Sequence, residues 1–465
     1  MSRLLGAKLA IARASGSLAR LRGGGTSLPG KLLVRMEPGA ISALAGRLPR
    51  GSALISATNG KTTTAALAAS ILEQAGIPLV HNQAGANMAG GIASTLLDAA
   101  RSDGRIDGEF GLFEVDEFWL DRLMAQLSPR AVLLGNLFRD QLDRYGELET
   151  IADRWAALAA GTARDSLLVL NADDPLIADL GRARPQTGPD RALYFGVQDD
   201  SLALSSMAHA ADAKHCRNCG APYTFERIYL GHLGDYHCAS CGQRRPEPTV
   251  FATNVQLEGV RGARFQLHTP AGQARVEIDL PGLYNVYNAL AAAALATALD
   301  IGLQTIVVGL QSARAAFGRG ETVTVDGREM RILLIKNPAG ANEVLRTLAL
   351  EPGEHDLLAV LNDNIADGRD VSWIWDADFE LLAGRVRRVW CAGTRAADLA
   401  VRLRYAGIES RRIVLCDDLR VALSEASHER TDIAPATLYA LPTYTAMLAL
   451  RELLVASGEA PSAWA

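Results

Sequence analysis

Lysine is scarce in this sequence. Of its 47 basic residues, only five are lysine: Lys8, Lys31, Lys61, Lys214 and Lys336. Because arginine is used elsewhere, each retained lysine indicates a position that favours a compact, mobile point charge over a planar fork. The formal net charge of −5 excludes a global attraction to nucleic acid, so acidic substrates must be bound by local sites.

Cysteine and long apolar runs are also scarce. Six cysteines in 465 residues do not make a disulfide scaffold, and because four of them cluster, they indicate a metal site instead. No apolar run reaches the ~18 residues that a membrane span needs. The longest run, Ala289–Leu299, is mostly alanine and predicts a buried helix. We find no convincing secretory signal, so we expect a cytoplasmic protein.

The N-terminal segment, residues 1–45, is basic, and its first 36 residues hold seven Lys or Arg and no acid. They predict a basic amphipathic helix, because apolar residues alternate with basic ones. The apolar residues are Leu4, Leu5, Leu9, Ile11 and Leu18, and the basic residues are Arg3, Lys8, Arg13 and Arg20. Such a helix can lie on an anionic surface such as the inner face of the cell membrane. Two other interpretations stay open, an organelle transit peptide and a solvated first helix of the fold.

Short apolar runs alternate with helical stretches after about residue 51, which predicts parallel strands joined by crossover helices. The first set of predicted elements comprises strands Ser52–Ser56, Phe110–Val115, Ala131–Leu134 and Ser166–Leu170, and helices Thr62–Ala75, Ile151–Ala160 and Leu283–Ala298. The second set comprises strands Ile332–Ile335, Leu357–Leu361, Arg387–Cys391 and Arg412–Leu415. The fold class is therefore α/β, with one domain over 46–310, interrupted by an insertion at about 205–249, and a second over 311–465.

A candidate phosphate-binding loop follows the first predicted strand and opens the first predicted helix. Its residues are Thr58, Asn59, Gly60, Lys61, Thr62 and Thr63. Glycine lets the backbone approach a phosphate, the helix amides face it, Lys61 supplies a cation, and a threonine hydroxyl can bind Mg²⁺. Ile55 occupies the first glycine position of the strict motif, so a plain polar turn remains the alternative.

Two Cys-x₂-Cys pairs predict a zinc ribbon in the insertion. The four candidate ligands are Cys216, Cys219, Cys238 and Cys241. Gly220 and Gly242 follow the pairs and allow tight knuckle turns. A site with four thiolates is closed, so the zinc is expected to be structural, and the adjacent His215 and His237 are expected to be bystanders. Disulfides are the alternative.

Two polar segments of the second domain each follow a predicted strand, where α/β folds place functional loops. The first is Lys336-Asn337-Pro338-Ala339-Gly340, and the second runs from Leu361 to Asp376 and contains Asp367 and Asp370. Carboxylates in such a loop can orient a histidine or bind a metal. The alternative is a turn with solvated acids, in which Trp373 and Trp375 belong to the core.

Taken together, these motifs resemble the Mur ligase family and the related folylpolyglutamate synthases. The loop is similar to the family's T-N-G-K-T-T/S segment, and four further segments occur in the family's order: Phe113–Glu117, Asn136 with Asp140–Asp143, Asn171–Pro175, and Asn285 with Asn288. Gly318-Arg319 resembles the family's arginine at the start of its C-terminal domain. The resemblance implies that Asn285, Asn288 and Arg319 contact ATP and that Thr62 and Glu114 bind Mg²⁺.

The chain also departs from the usual Mur ligase pattern. Gln141 stands where the family has a metal-associated histidine, and no lysine lies between Lys61 and Lys214, so the family's carbamylated lysine is absent from its usual place. A second Mg²⁺ is therefore not predicted.

The four-cysteine ribbon and the two segments of the second domain resemble the MurT branch of this family, the synthetase subunits of lipid II isoglutaminyl synthase. The resemblance implies ATP-dependent amidation of the D-glutamate α-carboxylate of lipid II through an acyl phosphate. It also implies a heterodimer with a GatD-like glutaminase that supplies ammonia. Lys336, Asn337 and Asp367 then become candidates for contact with the substrate or the acyl phosphate. Asp370, with Asp367 as the second choice, is expected to complete the partner's Cys–His pair.

The chain itself carries no sign of a glutaminase. Cys391 and Cys416 lack the glycines of a nucleophile elbow, and beyond residue 330 only His355 and His428 can serve as a base. Two rival functions stay open. One is a stand-alone amino-acid ligase, disfavoured by the missing lysine and by the short segment before the loop. The other is a non-catalytic nucleotide-binding scaffold, disfavoured because Lys61, Thr62 and Glu114 are all present.

Overall fold

The computed structural model describes residues 3–21, 27–82, 85–101, 105–140, 148–161, 166–183, 192–207, 211–313, 319–428 and 437–460. Several predicted features lie outside this part of the chain: Gln141, Asp143, Gly318 and the side chain of Arg319.

Among the described residues before the first strand there are three helices: α1 (Arg3–Leu21), α2 (Leu28–Met36) and α3 (Ala40–Ala45). Leu9 and Ala12 of α1 are buried, whereas Ile11 is exposed. Arg13 donates a hydrogen bond of 2.8 Å to the carbonyl of Leu97, on a helix of the first domain. These contacts support the interpretation of α1 as the first helix of the fold.

A nine-stranded sheet forms the core of the first domain. Its parallel strands are β1 (Ser52–Ser56), β2 (Leu79–His81), β3 (Phe110–Glu114), β4 (Ala131–Leu134), β5 (Leu167–Asn171) and β6 (Leu193–Val197). The next two strands, β7 (Thr224–Leu230) and β8 (Leu233–His237), form a separate hairpin. The nine-stranded sheet is completed by β9 (Val250–Leu257), β10 (Ala263–Thr269) and β11 (Gly272–Ile278). The spatial order is β11-β10-β9-β6-β5-β4-β1-β3-β2, with β10 antiparallel to both neighbours.

Helices cover both faces of this sheet. They are α4 (Lys61–Gln74), α5 (Ala89–Ala99), α6 (Leu120–Leu127), α7 (Leu148–Gly161), α8 (Pro175–Ala178), α9 (Leu283–Ala298) and α10 (Leu303–Ser312). Because the central strands are covered on both sides, β1, β3 and β4 are buried at every position and show no polar alternation. None of the helices among the described residues has the length and the apolar character needed to cross a membrane.

The strand order places the functional loops. β1 pairs with β3 on one side and β4 on the other, so the loops after these three parallel strands meet at one edge of the sheet. In open α/β sheets such a reversal of strand order creates a crevice for ligands. The candidate phosphate loop follows β1 and therefore lies at this crevice.

The second domain contains a six-stranded sheet in the order β12-β13-β17-β14-β15-β16. Its strands are β12 (Arg319–Val325), β13 (Arg328–Leu333), β14 (His355–Val360), β15 (Val386–Ala392), β16 (Ile413–Leu415) and β17 (Leu438–Pro442), and its helices are α11 (Pro338–Ala349), α12 (Ala396–Tyr405), α13 (Leu419–His428) and α14 (Tyr444–Ala456). Three of the four predicted strands of this domain are confirmed with ends shifted by at most two residues, whereas β13 begins four residues before its predicted start and ends two before its predicted end. The sequence interpretation missed β12, at one edge of the sheet, and β17, which lies inside it.

Short 3₁₀ helices occur in both domains, at Asp179–Ala183, Asp200–Leu202, Ser372–Trp375, Phe379–Leu382 and Ser410–Arg412. The third of these begins two residues after Asp370, so that carboxylate stands just before a helical turn.

Candidate active site

The phosphate loop is shaped by one glycine. Gly60 precedes α4 with a φ of +84°, a backbone conformation that favours glycine. A Cβ atom at this position would lie 2.0 Å from Oδ1 of Asn288, so a larger side chain is also excluded by space. The first amides of α4 therefore face the crevice freely, as anion binding at a helix N-terminus requires.

Lys61 is held over the loop by an acidic cluster. Its Nζ lies 3.0 Å from a carboxylate oxygen of Glu117, and both side chains are about one-tenth exposed. Nζ also donates to the carbonyl of Ala57 at 2.5 Å. Burial alone would lower the pKa of Lys61, but the charges of Glu117, Glu114 and Asp116 outweigh it and raise the pKa. Lys61 is therefore cationic at neutral pH and available to a phosphate.

Thr62 and Glu114 form the site that the resemblance assigns to Mg²⁺. The Thr62 hydroxyl donates to Oε2 of Glu114 at 2.8 Å. The side-chain amide of Asn82 donates to the carbonyl of Glu114, and its Oδ1 accepts from the backbone amide of Glu114, both at 2.9 Å. The side-chain amide of Asn87 donates to Oε1 of Glu114 at 3.4 Å. One hydroxyl and one carboxylate, oriented by their neighbours, match the hard oxygen ligands that Mg²⁺ prefers. These residues fit the ion.

The loop after β4 braces the phosphate loop through Asn136. The Asn136 carbonyl accepts from the amide of Thr58 at 2.9 Å, and its side chain exchanges hydrogen bonds of 2.9 and 3.0 Å with the backbone of Asn59. The amide of Phe138 donates to the Thr58 hydroxyl at 3.1 Å. The conformation of residues 58 and 59 therefore depends on the neighbouring loop.

The second domain reaches the same crevice. Nζ of Lys336 donates to the carbonyl of Thr58 at 3.0 Å and to Asp140 at 2.5 Å. The amide groups of Asn337 and Asn59 face each other at 2.9 and 3.3 Å. Asn337 also caps α11, because its Oδ1 accepts from the amide of Gly340 at 2.9 Å. The structure thus brings two predicted residues of the second domain onto the phosphate loop.

The two asparagines predicted for the adenine side lie at the start of α9. Both are buried, and they are joined by a hydrogen bond of 2.9 Å from Asn288 to Asn285. Asn288 further accepts from the Thr64 hydroxyl at 3.2 Å, and Asn285 donates to the carbonyl of Pro281 at 2.7 Å. The pair therefore joins α9 to α4 directly behind the phosphate loop.

The four clustered cysteines converge in the insertion. All four sulfur atoms lie within 4.8 Å of one another, and the closest pairs are Cys219–Cys238 at 3.5 Å and Cys216–Cys241 at 3.6 Å. Tetrahedral ligands about 2.3 Å from Zn²⁺ would be about 3.8 Å apart, so this donor set fits zinc. All four thiols are free, which excludes the disulfide alternative in this structure.

The surroundings of these thiols also fit a cation. A hydrogen bond from Asn218 is the largest influence that lowers the pKa of Cys241, to about 6. For Cys219 the backbone hydrogen bond from Ala221 lowers the pKa, but the neighbouring thiols and desolvation together raise it to about 11. One thiolate thus opposes formation of the next, and a divalent cation would relieve this repulsion. Gly220 and Gly242 both have a φ of +77°, as the predicted knuckle turns require.

The two aspartates of the second domain have different surroundings. Asp367 is buried, and its carboxylate accepts hydrogen bonds from both the amide, at 2.7 Å, and the hydroxyl of Thr445. Asp370 is exposed. The backbone amide of Ser372 donates a hydrogen bond of 2.8 Å to its carboxylate, and the hydrogen bonds from Ser372 lower the pKa of this carboxyl. Asp370 is therefore an oriented, ionised group at the surface, whereas Asp367 joins its loop to the start of α14.

The comparisons with known proteins agree with this geometry. The Mur ligase middle domain family matches residues 55–239, and the MurT ligase C-terminal family matches residues 334–447. The chain is 35% identical to the lipid II isoglutaminyl synthase (glutamine-hydrolyzing) subunit MurT of Streptococcus pneumoniae (strain ATCC BAA-255 / R6), over 94% of both chains. The chain belongs to the MurT family. It is accordingly an ATP-dependent ligase of the Mur ligase type.

Other relatives support the same membership. The MurT subunit of Staphylococcus aureus (strain N315) is 32% identical, again over 94% of both chains. Among solved structures, a pseudomurein peptide ligase type C from Methanothermus fervidus aligns with a TM-score of 0.62 at 23% identity, covering 88% of this chain and 79% of that one. Folylpolyglutamate synthase from Mycobacterium tuberculosis, solved with ADP and AMPPCP, aligns with a TM-score of 0.59 at 16% identity, over 91% and 96%. These two structures show the shared fold.

Several residues of this MurT site were missed by the sequence interpretation. Glu117, which pairs with Lys61, stands three positions after Glu114, and this short spacing was a usable signal. Asp140, which pairs with Lys336, was quoted only as part of a motif. Trp375, expected in the core if the segment were a plain turn, is 52% exposed. That alternative is therefore wrong for Trp375.

Proposed function

We propose that this chain is the synthetase subunit of a lipid II isoglutaminyl synthase and acts in peptidoglycan synthesis. It would convert the D-glutamate α-carboxylate of the stem peptide to D-isoglutamine with ATP and ammonia. The main support is the 35% identity over 94% of the chain to a protein that carries this name. The arrangement of Lys61, Thr62 and Glu114 agrees with catalytic use of ATP.

The first step joins phosphate to the substrate. A carboxylate oxygen attacks the γ-phosphorus of ATP, the bond to the β–γ bridging oxygen breaks, and an acyl phosphate and ADP result. The amides at the start of α4 and the charge of Lys61 would stabilise the transferring group. Thr62 and Glu114 would hold Mg²⁺, which supplies further charge neutralisation on the phosphates.

The second step forms the amide. Ammonia attacks the carbonyl carbon of the acyl phosphate, inorganic phosphate leaves, and the nitrogen loses a proton as the neutral amide forms. Lys336 and Asn337 reach the phosphate loop from the second domain, and we propose that they contact the acyl phosphate between the two domains. Closing the domains around this intermediate would protect it from water.

Ammonia would come from a glutaminase bound to the second domain as a heterodimer. Asp370 and the half-exposed Trp375 line one open pocket of about 250 Å³. The ring of Trp375 lies 5.6 Å from that of Tyr405, which is 74% exposed. Exposed aromatic pairs are typical anchors of protein interfaces. The oriented carboxylate of Asp370 would then hydrogen-bond the partner's catalytic histidine and fix its tautomer.

The four-cysteine ribbon is proposed to bind one structural zinc ion. Its donor set is complete without water, so the metal would take no part in the reaction. It would instead hold the short β7–β8 insertion in shape, since such a small module buries too little apolar surface to fold alone.

Amidation of purified lipid II tests the proposal. The full chain is incubated with ATP and Mg²⁺, and ammonium chloride is compared with glutamine, each with and without the candidate glutaminase. Product with ammonium alone, and with glutamine only when the partner is present, is expected. ATP-dependent addition of a free amino acid without amidation would instead identify a stand-alone ligase, and no ATP turnover with any acceptor would indicate a scaffold.

Substitution of Asp370 by asparagine is expected to separate the two nitrogen sources. Glutamine-dependent amidation should fall by about 10³- to 10⁴-fold, as when a triad carboxylate is lost. The ammonium-dependent rate should stay within twofold, because this chain's own site is untouched. The exposed Asp417, changed to asparagine, is the matched control and should alter neither rate. Unchanged glutamine use by Asp370→Asn would refute this role, and loss in Asp367→Asn instead would transfer it.

Asn337→Asp is expected to weaken ATP use without unfolding the domain. Aspartate still accepts from the amide of Gly340 and caps α11 equally well. It cannot donate to Asn59, and it places a negative charge beside the phosphates. We expect the KM for ATP to rise about tenfold, which corresponds to the ~1.4 kcal/mol of one charge-assisted hydrogen bond, while the melting temperature stays within about 2 °C. An unchanged KM would show that residue 337 does not face the nucleotide.

A further inference from the structure

The tip of the ribbon hairpin is buried inside the ATPase domain. His232 occupies the turn between β7 and β8 and is fully buried, although hairpin turns usually face solvent. Its ring lies 4.6 Å from the ring of Phe138, and Gly231 passes so close that an added Cβ would lie 2.9 Å from the same ring. The hairpin therefore packs under the loop that follows β4.

His232 also faces a buried carboxylate. Its Nε2 lies 3.4 Å from Oδ1 of Asp174, and neither ring nitrogen makes a hydrogen bond to any described residue. Because neither nitrogen is hydrogen-bonded, the imidazole acts here through the packing of its ring. Asp174 in turn accepts from the amide of Leu137 at 2.9 Å and from that of Leu176, in α8, at 2.9 Å.

A short series of contacts links this position to the phosphate loop. Leu137 and Phe138, the two residues next to His232 and Asp174, directly follow Asn136. Asn136 holds the backbone of Thr58 and Asn59, and the amide of Phe138 holds the Thr58 hydroxyl. A displacement of residues 136–138 would therefore displace residues 58 and 59, which immediately precede Gly60.

We infer that His232 is a positioning residue through which the ribbon hairpin fixes the phosphate loop for nucleotide binding. The imidazole fills the space between Phe138 and Asp174, so the loop after β4 has a single position against β1. The ribbon thus stabilises the ATP site through residues 136–138, without contacting ATP itself. The inference rests on the proposed function only in that the loop binds ATP.

Nucleotide affinity, measured without any acceptor, tests this inference. The full chain is titrated calorimetrically with AMPPCP and Mg²⁺, and hydrogen exchange is followed in peptides covering 52–60 and 131–140. His232→Ala removes the ring, and His232→Phe retains a planar ring against Phe138. Phe138→Leu disturbs the same contact from the opposite side and serves if His232→Ala does not fold.

His232→Ala and Phe138→Leu are expected to raise the Kd for AMPPCP about tenfold, because small misplacements of a binding loop cost affinity steeply. Exchange should rise in both monitored peptides and remain unchanged in 355–360 of the second domain. His232→Phe should bind within threefold of wild type. The matched control is His268→Ala, since His268 also stacks on a phenylalanine, Phe251, at 4.4 Å, but on the outer strands of the sheet. It should bind like wild type.

Two results would overturn the inference. One is wild-type affinity in the folded His232→Ala or Phe138→Leu protein. The other is an equal loss in His268→Ala, which would indicate a general loss of stability. If the wild-type chain itself does not bind AMPPCP, the proposed function fails together with this inference, whereas binding by all variants refutes only the role of His232.

Discussion

Replacement of Lys61 by alanine is expected to lower the kcat of ammonium-dependent amidation by about 10³-fold, the loss that follows removal of a preorganised charge from a transferring group. Two effects add in the same direction. The loop loses its cation, and Glu117, whose side chain is only 8% exposed, is left as an unpaired carboxylate facing the phosphates. Release of ADP and of amidated lipid II are the quantities to measure.

A second lysine offers a matched control for this experiment. Lys8 forms an ion pair with Glu37 at 2.9 Å, close to the 3.0 Å of Lys61 and Glu117, but it lies on the N-terminal helix α1. Lys8→Ala should leave kcat within twofold, because exposed pairs contribute little. If Lys61→Ala retained more than a tenth of the wild-type rate, the loop would not contact the transferred phosphate.

Cys216→Ser is expected to remove the metal. The wild-type chain should carry one zinc ion by elemental analysis, and the variant almost none, because three thiolates and a hydroxyl bind zinc far more weakly than four thiolates. Metal binding supplies folding free energy to small modules of this kind. We expect the melting temperature to fall by roughly 10 °C, the shift that about 3–4 kcal/mol gives a domain of this size, and residues 211–249 to become sensitive to protease.

Cys416→Ser is the control for the zinc experiment. Cys416 is also buried, but it lies in the second domain with Glu425 as its neighbour, far along the chain from the ribbon. This variant should keep one zinc ion and melt within about 2 °C of wild type. Equal zinc content in wild type and Cys216→Ser would exclude the four-cysteine site.

The alternation of apolar runs was sufficient to predict the central strands of the first sheet, because β1, β3 and β4 are continuous buried runs. It was insufficient for β17. Leu438–Pro442 is a five-residue run that ends in proline, and its burial arises only from pairing with β13 and β14, which are distant in sequence. Local pattern carries no information on such pairing.

The functional site likewise contains features that local sequence patterns predict and features that depend on long-range contacts. The cysteine pairs were predicted from their spacing and the phosphate loop from its lysine and its place between a strand and a helix, and both are compact clusters in the structure. Lys336 was singled out by its rarity, yet its contact with Asp140 joins residues nearly 200 positions apart. His232 had no recognisable motif, because its position depends on how a hairpin packs under another loop.

The position of β17 has a consequence for synthesis on the ribosome. β13 and β14 do not pair with each other, and only β17 joins them, although it is the last strand of the domain to be made. The first domain has all its strands once residue 278 has emerged, whereas the second must wait for residue 442. At about 5–20 residues per second this delay is roughly 10–30 s. During that time two incomplete half-sheets with open edges trail a first domain whose strands have all been made, which is when a chaperone would be needed most.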